Sequence, residues 1–162
     1  EAFSVLLYYP VDDFDREVFD IETMLRLPGE FPGVRFTLIP SPAETLPQPL
    51  PPNLEARAWV EDMDALYRET TAVVRLTSHD GQSFMVAEAL SRGRYVIWTH
   101  PMPGCMRAEG FDQVAKALRG LLKKHEEGSL KVNSSGRRVV LDRFGKGRPL
   151  GELDERLRGL LT

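Results

Sequence analysis

The sequence predicts an α/β fold: a parallel β-sheet with helices packed on both of its faces. Three observations carry this. Short apolar runs alternate along the chain with segments whose apolar residues recur at helical spacing, the pattern of consecutive βαβ units. The first strand-like run is continuously apolar, as in strands covered on both sides. The 162 residues suit one domain of this layered kind, so a single domain over 1–162 is expected.

Residues 3–9 (FSVLLYY) read as a buried first strand closed by Pro10. A helix is expected over 13–27, with Phe14, Val18, Ile21, Met24, Leu25 and Leu27 along one face and Pro28-Gly29 ending it. Residues 34–39 (VRFTLI) form the second strand. The prolines at 40, 42, 47, 49, 51 and 52 then exclude helix and ladder alike and imply a stiff surface connection. A third strand over 54–59, a short helix over 62–69 and a fourth strand over 72–76 (AVVRL) follow. Next come a helix over 83–91, a strand over 95–99 and a turn-rich loop through Pro101, Pro103 and Gly104. Residues 111–125 form an amphipathic helix. A further helix over 129–144 is expected to break near Gly136, and a last amphipathic one spans 149–161. The whole is a Rossmann-like three-layer arrangement, in which ligands bind beyond the carboxyl ends of the strands, where the strand order reverses.

Composition narrows the function. Apolar residues are 42% and charged residues 28%, the balance of a globular protein. No apolar run is long enough for a transmembrane segment. The lone Cys105 and the scattered His79, His100 and His125 have no metal-ligand spacing, so no metal is expected and a cytoplasmic setting is. The start at Glu1, without methionine or signal-peptide pattern, leads us to expect a fragment of something longer. Residues 1–70 hold 5 basic and 14 acidic side chains and residues 71–162 hold 16 and 10, so only the second part attracts anions. Its basic stretch lacks interleaved aromatics, and nucleic acid is not an expected partner.

The densest chemistry lies in residues 78–99. Gly81, Gln82 and Ser83 stand where a loop becomes a helix, so backbone N–H groups without helical acceptors point outward there, a setting that binds anions. Gly81 permits close approach of a ligand, and Ser83 either caps the helix or offers its hydroxyl. Glu88 is the one carboxylate among Phe84, Met85, Val86, Ala87, Ala89 and Leu90. It is expected to be buried, bonded either to a loop backbone or to ligand hydroxyls. Asp80, in the loop, is expected to be exposed.

Residues 80–97 (DGQSFMVAEALSRGRYVI) resemble the Glu-x7-Glu region of retaining GT-B glycosyltransferases, and residues 52–67 are similar to the strand and short helix that precede it. The resemblance runs in order over about residues 52–125. It implies the C-terminal, nucleotide-sugar-binding half of a two-domain enzyme whose N-terminal GT-B domain is the missing partner. By position, Glu88 would accept hydrogen bonds from the ribose, and the backbone of Ser83, Phe84 and Met85 would meet sugar and phosphate oxygens. Val60 would lie near the base, and Asp80 would take the first acidic position, beside the transferred sugar, as the catalytic candidate. The donor would be a nucleotide-diphosphate sugar, used with neither an essential metal nor another cofactor.

The chain also departs from that family. Asp80 is one methylene shorter than the usual Glu. Where a glycine-basic turn and a lysine follow the first strand, this chain has Asp12, Asp13 and Asp15, with Arg16 the nearest cation. Pro40-Ser41-Pro42 replaces the glycine loop after the second strand. A non-catalytic α/β interaction domain with a degenerate donor site is therefore the alternative. A receiver-like module fits less well, since the third strand ends in Trp59-Val60 without an aspartate.

Overall fold

The computed structural model describes residues 2–10, 17–81 and 83–144. The expected acidic turn at 12–15 with Arg16, the residue Gln82 and the expected helix over 149–161 lie outside the described residues.

Six parallel strands, β1 (Ser4–Tyr8), β2 (Arg35–Ile39), β3 (Leu54–Ala56), β4 (Ala72–Arg75), β5 (Tyr95–Trp98) and β6 (Met106–Arg107), form one sheet in the order β3-β2-β1-β4-β5-β6. Among the described residues five α-helices cover it: α1 (Ile21–Glu30), α2 (Met63–Glu69), α3 (Phe84–Ser91), α4 (Gly110–Glu126) and α5 (Ser134–Phe144). The strand order reverses between β1 and β4, which places a crevice at their carboxyl ends. The Rossmann-like α/β architecture expected from the alternating pattern is the one observed.

Because side chains alternate across a strand, Val5 and Leu7 enter one layer and Leu6 the other. The first layer packs Phe36, Leu38, Val74 and Ile97 against Met24 and Leu27 of α1 and Val114, Leu118 and Leu121 of α4. The second packs Ile39, Val73, Val96 and Trp98 against Leu66 and Tyr67 of α2, Val86, Ala89 and Leu90 of α3, and Val140 of α5.

Several boundaries differ from expectation, each for a tertiary reason. Residues 18–20 are not helical. Phe19 bridges antiparallel to Thr77, Asp20 N–H donates to the Leu76 carbonyl at 3.1 Å, and Ser78 N–H donates to that of Val18 at 2.8 Å. The helix starts only at Ile21, where the Asp20 carboxylate accepts from Thr23 N–H at 3.0 Å. It also passes Pro28-Gly29 to Glu30, and Phe31 N–H closes it on the carbonyls of Leu27 and Pro28.

The proline-rich connection is neither free of helix nor wholly superficial: a 3-10 helix spans Ala43–Thr45. Ser41 and Leu46 are buried, and the Ser41 hydroxyl donates to the Tyr9 carbonyl at 2.9 Å. The third strand is shorter than expected, ending at Ala56. β6, two residues held beside Ile97 and Trp98, carries no periodic signal of its own.

Helix α5 starts later than expected and runs unbroken through Gly136. Buried Asn133 accepts from Gly136 N–H at 3.0 Å and donates to the carbonyls of Gly104 and Arg94 at 3.0 and 3.2 Å. Gly136 is required by space: a Cβ there would lie 2.7 Å from Leu90 Cδ2 and 2.6 Å from Asn133 Nδ2. Opposite it, Gly104 has φ +89°, and its own Cβ would lie 2.4 Å from Gly136 Cα. Two glycines thus let α5 close on the loop after β5.

No helix among the described residues is long and apolar enough to cross a membrane.

Candidate functional site

A cleft of about 460 Å³ opens at the carboxyl edge of the sheet, on the α2–α3 side of the β1–β4 crevice. Its walls come from Tyr8 and Arg75 at the strand ends, Ile39-Pro40 after β2, Trp59-Val60 after β3, and Ser83, Phe84, Met85 and Glu88 of the α3 entrance. Val60, Asp80, Ser83, Phe84, Met85 and Glu88, six of the residues singled out in the sequence, line this one cleft. Gly81 is exposed in the adjoining loop with nothing within 4 Å of where a Cβ would stand, so the approach over its backbone is open.

At the foot of α3, Ser83 is the N-cap. Its side chain accepts from Val86 N–H at 3.4 Å and its carbonyl from Ala87 N–H at 3.1 Å. Those bonds leave the amides of Phe84 and Met85 outside the helical ladder at the positive end of the helix dipole.

The two carboxylates sit differently from expectation. Glu88 is exposed rather than buried: the apolar faces of α3 are covered through Val86, Ala89 and Leu90, and position 88 falls at the cleft mouth. Buried Tyr67 donates to Glu88 Oε2 at 3.2 Å and lies 3.4 Å from the Met85 carbonyl, which competes for the same proton. Burial first, then the Glu88 charge and hydrogen bond, raise the Tyr67 phenol well above its usual range. It is therefore a fixed donor at neutral pH. One Glu88 oxygen faces Tyr67, and a second carboxylate oxygen remains for a ligand.

Asp80, expected to be exposed, is only 11% exposed at its side chain, because Arg75 Nε donates to its Oδ2 at 2.6 Å. Arg75 is 13% exposed, with its guanidinium carbon 4.8 Å from the Tyr8 ring centre and 5.1 Å from that of Phe19. At an effective dielectric of about 20, opposite charges at ~4 Å attract by roughly 4 kcal/mol before desolvation. The negative charge of Asp80 is thus largely committed to Arg75.

Sequence reasoning missed Arg75, Tyr67 and Trp59 as cleft residues. A signal existed for the first: Arg75 is the only charged residue of the otherwise apolar β4. Trp59 stands next to Val60 and is 80% exposed, its indole lining the cleft. Phe84, 78% exposed, lines it from α3. Large apolar side chains left in solvent beside a concave site are a mark of ligand contact.

No protein-family model and no curated protein sequence matches the chain. Solved structures do. The chain superposes over its full length on 48% of a glycosyltransferase from Rickettsia africae, with a TM-score of 0.74 and 11% identity. Over 98% of its length it matches 49% of the Anabaena HepE protein in complex with UDP-glucose, with a TM-score of 0.69 and 13% identity. Its fold is that of a glycosyltransferase domain. A third match covers 88% of this chain and 86% of the C-terminal domain of a group 1 glycosyltransferase family protein, LpcC, from Francisella tularensis, with a TM-score of 0.61 and 14% identity. The chain therefore spans about half the length of the first two structures and most of the third, which is a single domain. The expected resemblance to GT-B glycosyltransferases holds as one of fold.

Among the described residues no cluster of His, Cys, Asp or Glu is gathered to hold a metal ion.

Proposed function

We propose that this chain is the nucleotide-sugar donor-binding domain of a glycosyltransferase, the C-terminal half of a two-domain GT-B enzyme of the retaining kind. The observation that carries it is the convergence of Val60, Ser83, Phe84, Met85 and Glu88 on one cleft at the strand-order reversal. In this reading the base lies between Ile39-Pro40 and Val60, against the Trp59 indole. Glu88 accepts from the ribose hydroxyls, with Tyr67 holding its other oxygen. The Phe84 and Met85 amides meet phosphate oxygens, helped by the α3 dipole. The acceptor sugar or aglycone would be held by a domain outside this chain, so transfer would require both halves.

Titration of the isotopically labelled domain with UDP, GDP, ADP and their sugar conjugates tests this. Amide shifts are expected to centre on Gly81 and Ser83 to Glu88 for one of the series. A folded sample without such shifts for any of them contradicts the reading.

A second reading, an α/β interaction domain whose donor site has decayed, is favoured by one observation: Asp80 is held by Arg75 instead of pointing freely toward a sugar. Under it, nucleotide titrations stay silent while the fold is intact.

A further inference from the structure

We infer that Arg75 is the cation that recognises the donor's diphosphate, and that Asp80 is its positioning residue, with no direct role toward the sugar. The inference rests on the donor-binding reading above and concerns which side chain handles the phosphate charge.

Arg75 is the only lysine or arginine that lines the cleft among the described residues, and the cleft also holds the carboxylates of Asp80 and Glu88. Without Arg75 the site would present two negative side chains to a dianionic or trianionic ligand, and the helix dipole of α3, about half a unit charge, could not offset them. The guanidinium is already oriented. Asp80 takes Nε–H, the Tyr8 and Phe19 rings lie against the group, and the Nη1 and Nη2 amino groups are outside the Asp80 bond.

An arginine fixed in this way offers a planar fork of donors to two phosphate oxygens with little further loss of side-chain freedom. It projects from the last residue of β4, beside the strand-order reversal and on the same cleft wall as the α3 entrance. Phosphate oxygens resting on the Phe84 and Met85 amides would therefore be within the same polar pocket as this fork. The position explains why Asp80 is tolerable beside a diphosphate: its charge is spent on holding Arg75.

The test measures, by calorimetry at low salt, how much more tightly each nucleoside diphosphate (UDP, GDP, ADP) binds than its parent nucleoside. Circular dichroism melts check that each variant is folded. For the base that binds wild type best, Arg75→Gln is expected to cut the diphosphate advantage at least tenfold while leaving nucleoside affinity within about twofold, and Arg75→Lys to restore part of it. Asp80→Ala should lower the advantage, and Asp80→Asn, which keeps an acceptor for Nε–H, should restore it to wild type or better.

An intact diphosphate advantage in folded Arg75→Gln overturns the inference and leaves the donor-domain reading standing. Equal losses in Asp80→Ala and Asp80→Asn overturn the positioning role. Absence of any nucleotide or nucleoside binding by wild type overturns the donor-domain reading and this inference with it.

Discussion

The two faces of the sheet are built to different ends. On the α1–α4 side, the strands meet helices whose inward residues are aliphatic, and the layer closes over Met24, Leu27, Val114 and Leu118. On the α2–α3–α5 side the core is smaller, and toward the carboxyl edge it gives way to a cleft lined by Tyr67, Arg75, Asp80 and Glu88, with Trp59 and Phe84 left in solvent. The proposed donor site lies on the second of these faces. One layer supplies stability, and the other gives up apolar contact at its edge to hold polar groups in fixed positions.

Substitutions in the two layers should separate along that line. The largest loss of stability is expected from Gly104→Ala, where a residue at φ +89° would also drive its Cβ into Gly136. The strain and clash together should cost about 3 kcal/mol or more, read as a fall in the urea midpoint. Leu118→Ala, in the closed layer, should cost about 3 kcal/mol through lost burial and a cavity. Below its melting transition it should leave any nucleotide titration unchanged. If it altered ligand affinity as much as a cleft variant, the division between the layers would fail.

Glu88→Gln should do the reverse. Because the side chain is exposed, the melting temperature should hold, while nucleotide affinity falls about tenfold with the loss of a charge-assisted bond of roughly 1.5 kcal/mol.

Smaller effects follow from the raised Tyr67 phenol. An unfolded tyrosine ionises near pH 10, at about its ordinary value, whereas folded Tyr67 keeps its proton beyond that. Its contribution is therefore fully present below about pH 10 and is lost as pH rises further, since only the unfolded chain then releases the proton. Tyr67→Phe should flatten this alkaline decline in a series of denaturant melts. Finally, burial pushes the Cys105 thiol up to about 12, so at pH 8 it should alkylate slowly in the native protein and readily in urea.

Much of this architecture was legible from sequence because strand and helix periodicities are local. The strand-like runs located five of the six strands, and the pattern at Val114, Leu118 and Leu121 located α4 within a residue at each end. What was illegible depended on distant partners. Residues 18–20 share helical spacing with α1 yet pair with the end of β4, and Gly136 reads as a break until Gly104 and Leu90 are seen against it. Six members of the cleft could be named, Arg75, Tyr67 and Trp59 could not, and the exposures of Asp80 and Glu88 were reversed. Arg75, 36 residues from Ile39 and 67 from Tyr8 along the chain, meets both at the cleft and holds Asp80 there. Glu88 faces the cleft because α3 buries Val86, Ala89 and Leu90 instead. Such facts lie in packing, which periodicity does not record.

The open edge of the α2–α3 layer is where we propose that a nucleotide-sugar donor binds. A titration of the labelled domain with UDP-, GDP- and ADP-sugars, followed through backbone amides, tests it most directly. Saturable shifts are expected for one series at Val60, Gly81 and Ser83 to Glu88, with the α1–α4 layer unmoved at Met24, Val114 and Leu118. Shifts confined to the α1–α4 layer, or none at all from a folded sample, would contradict it.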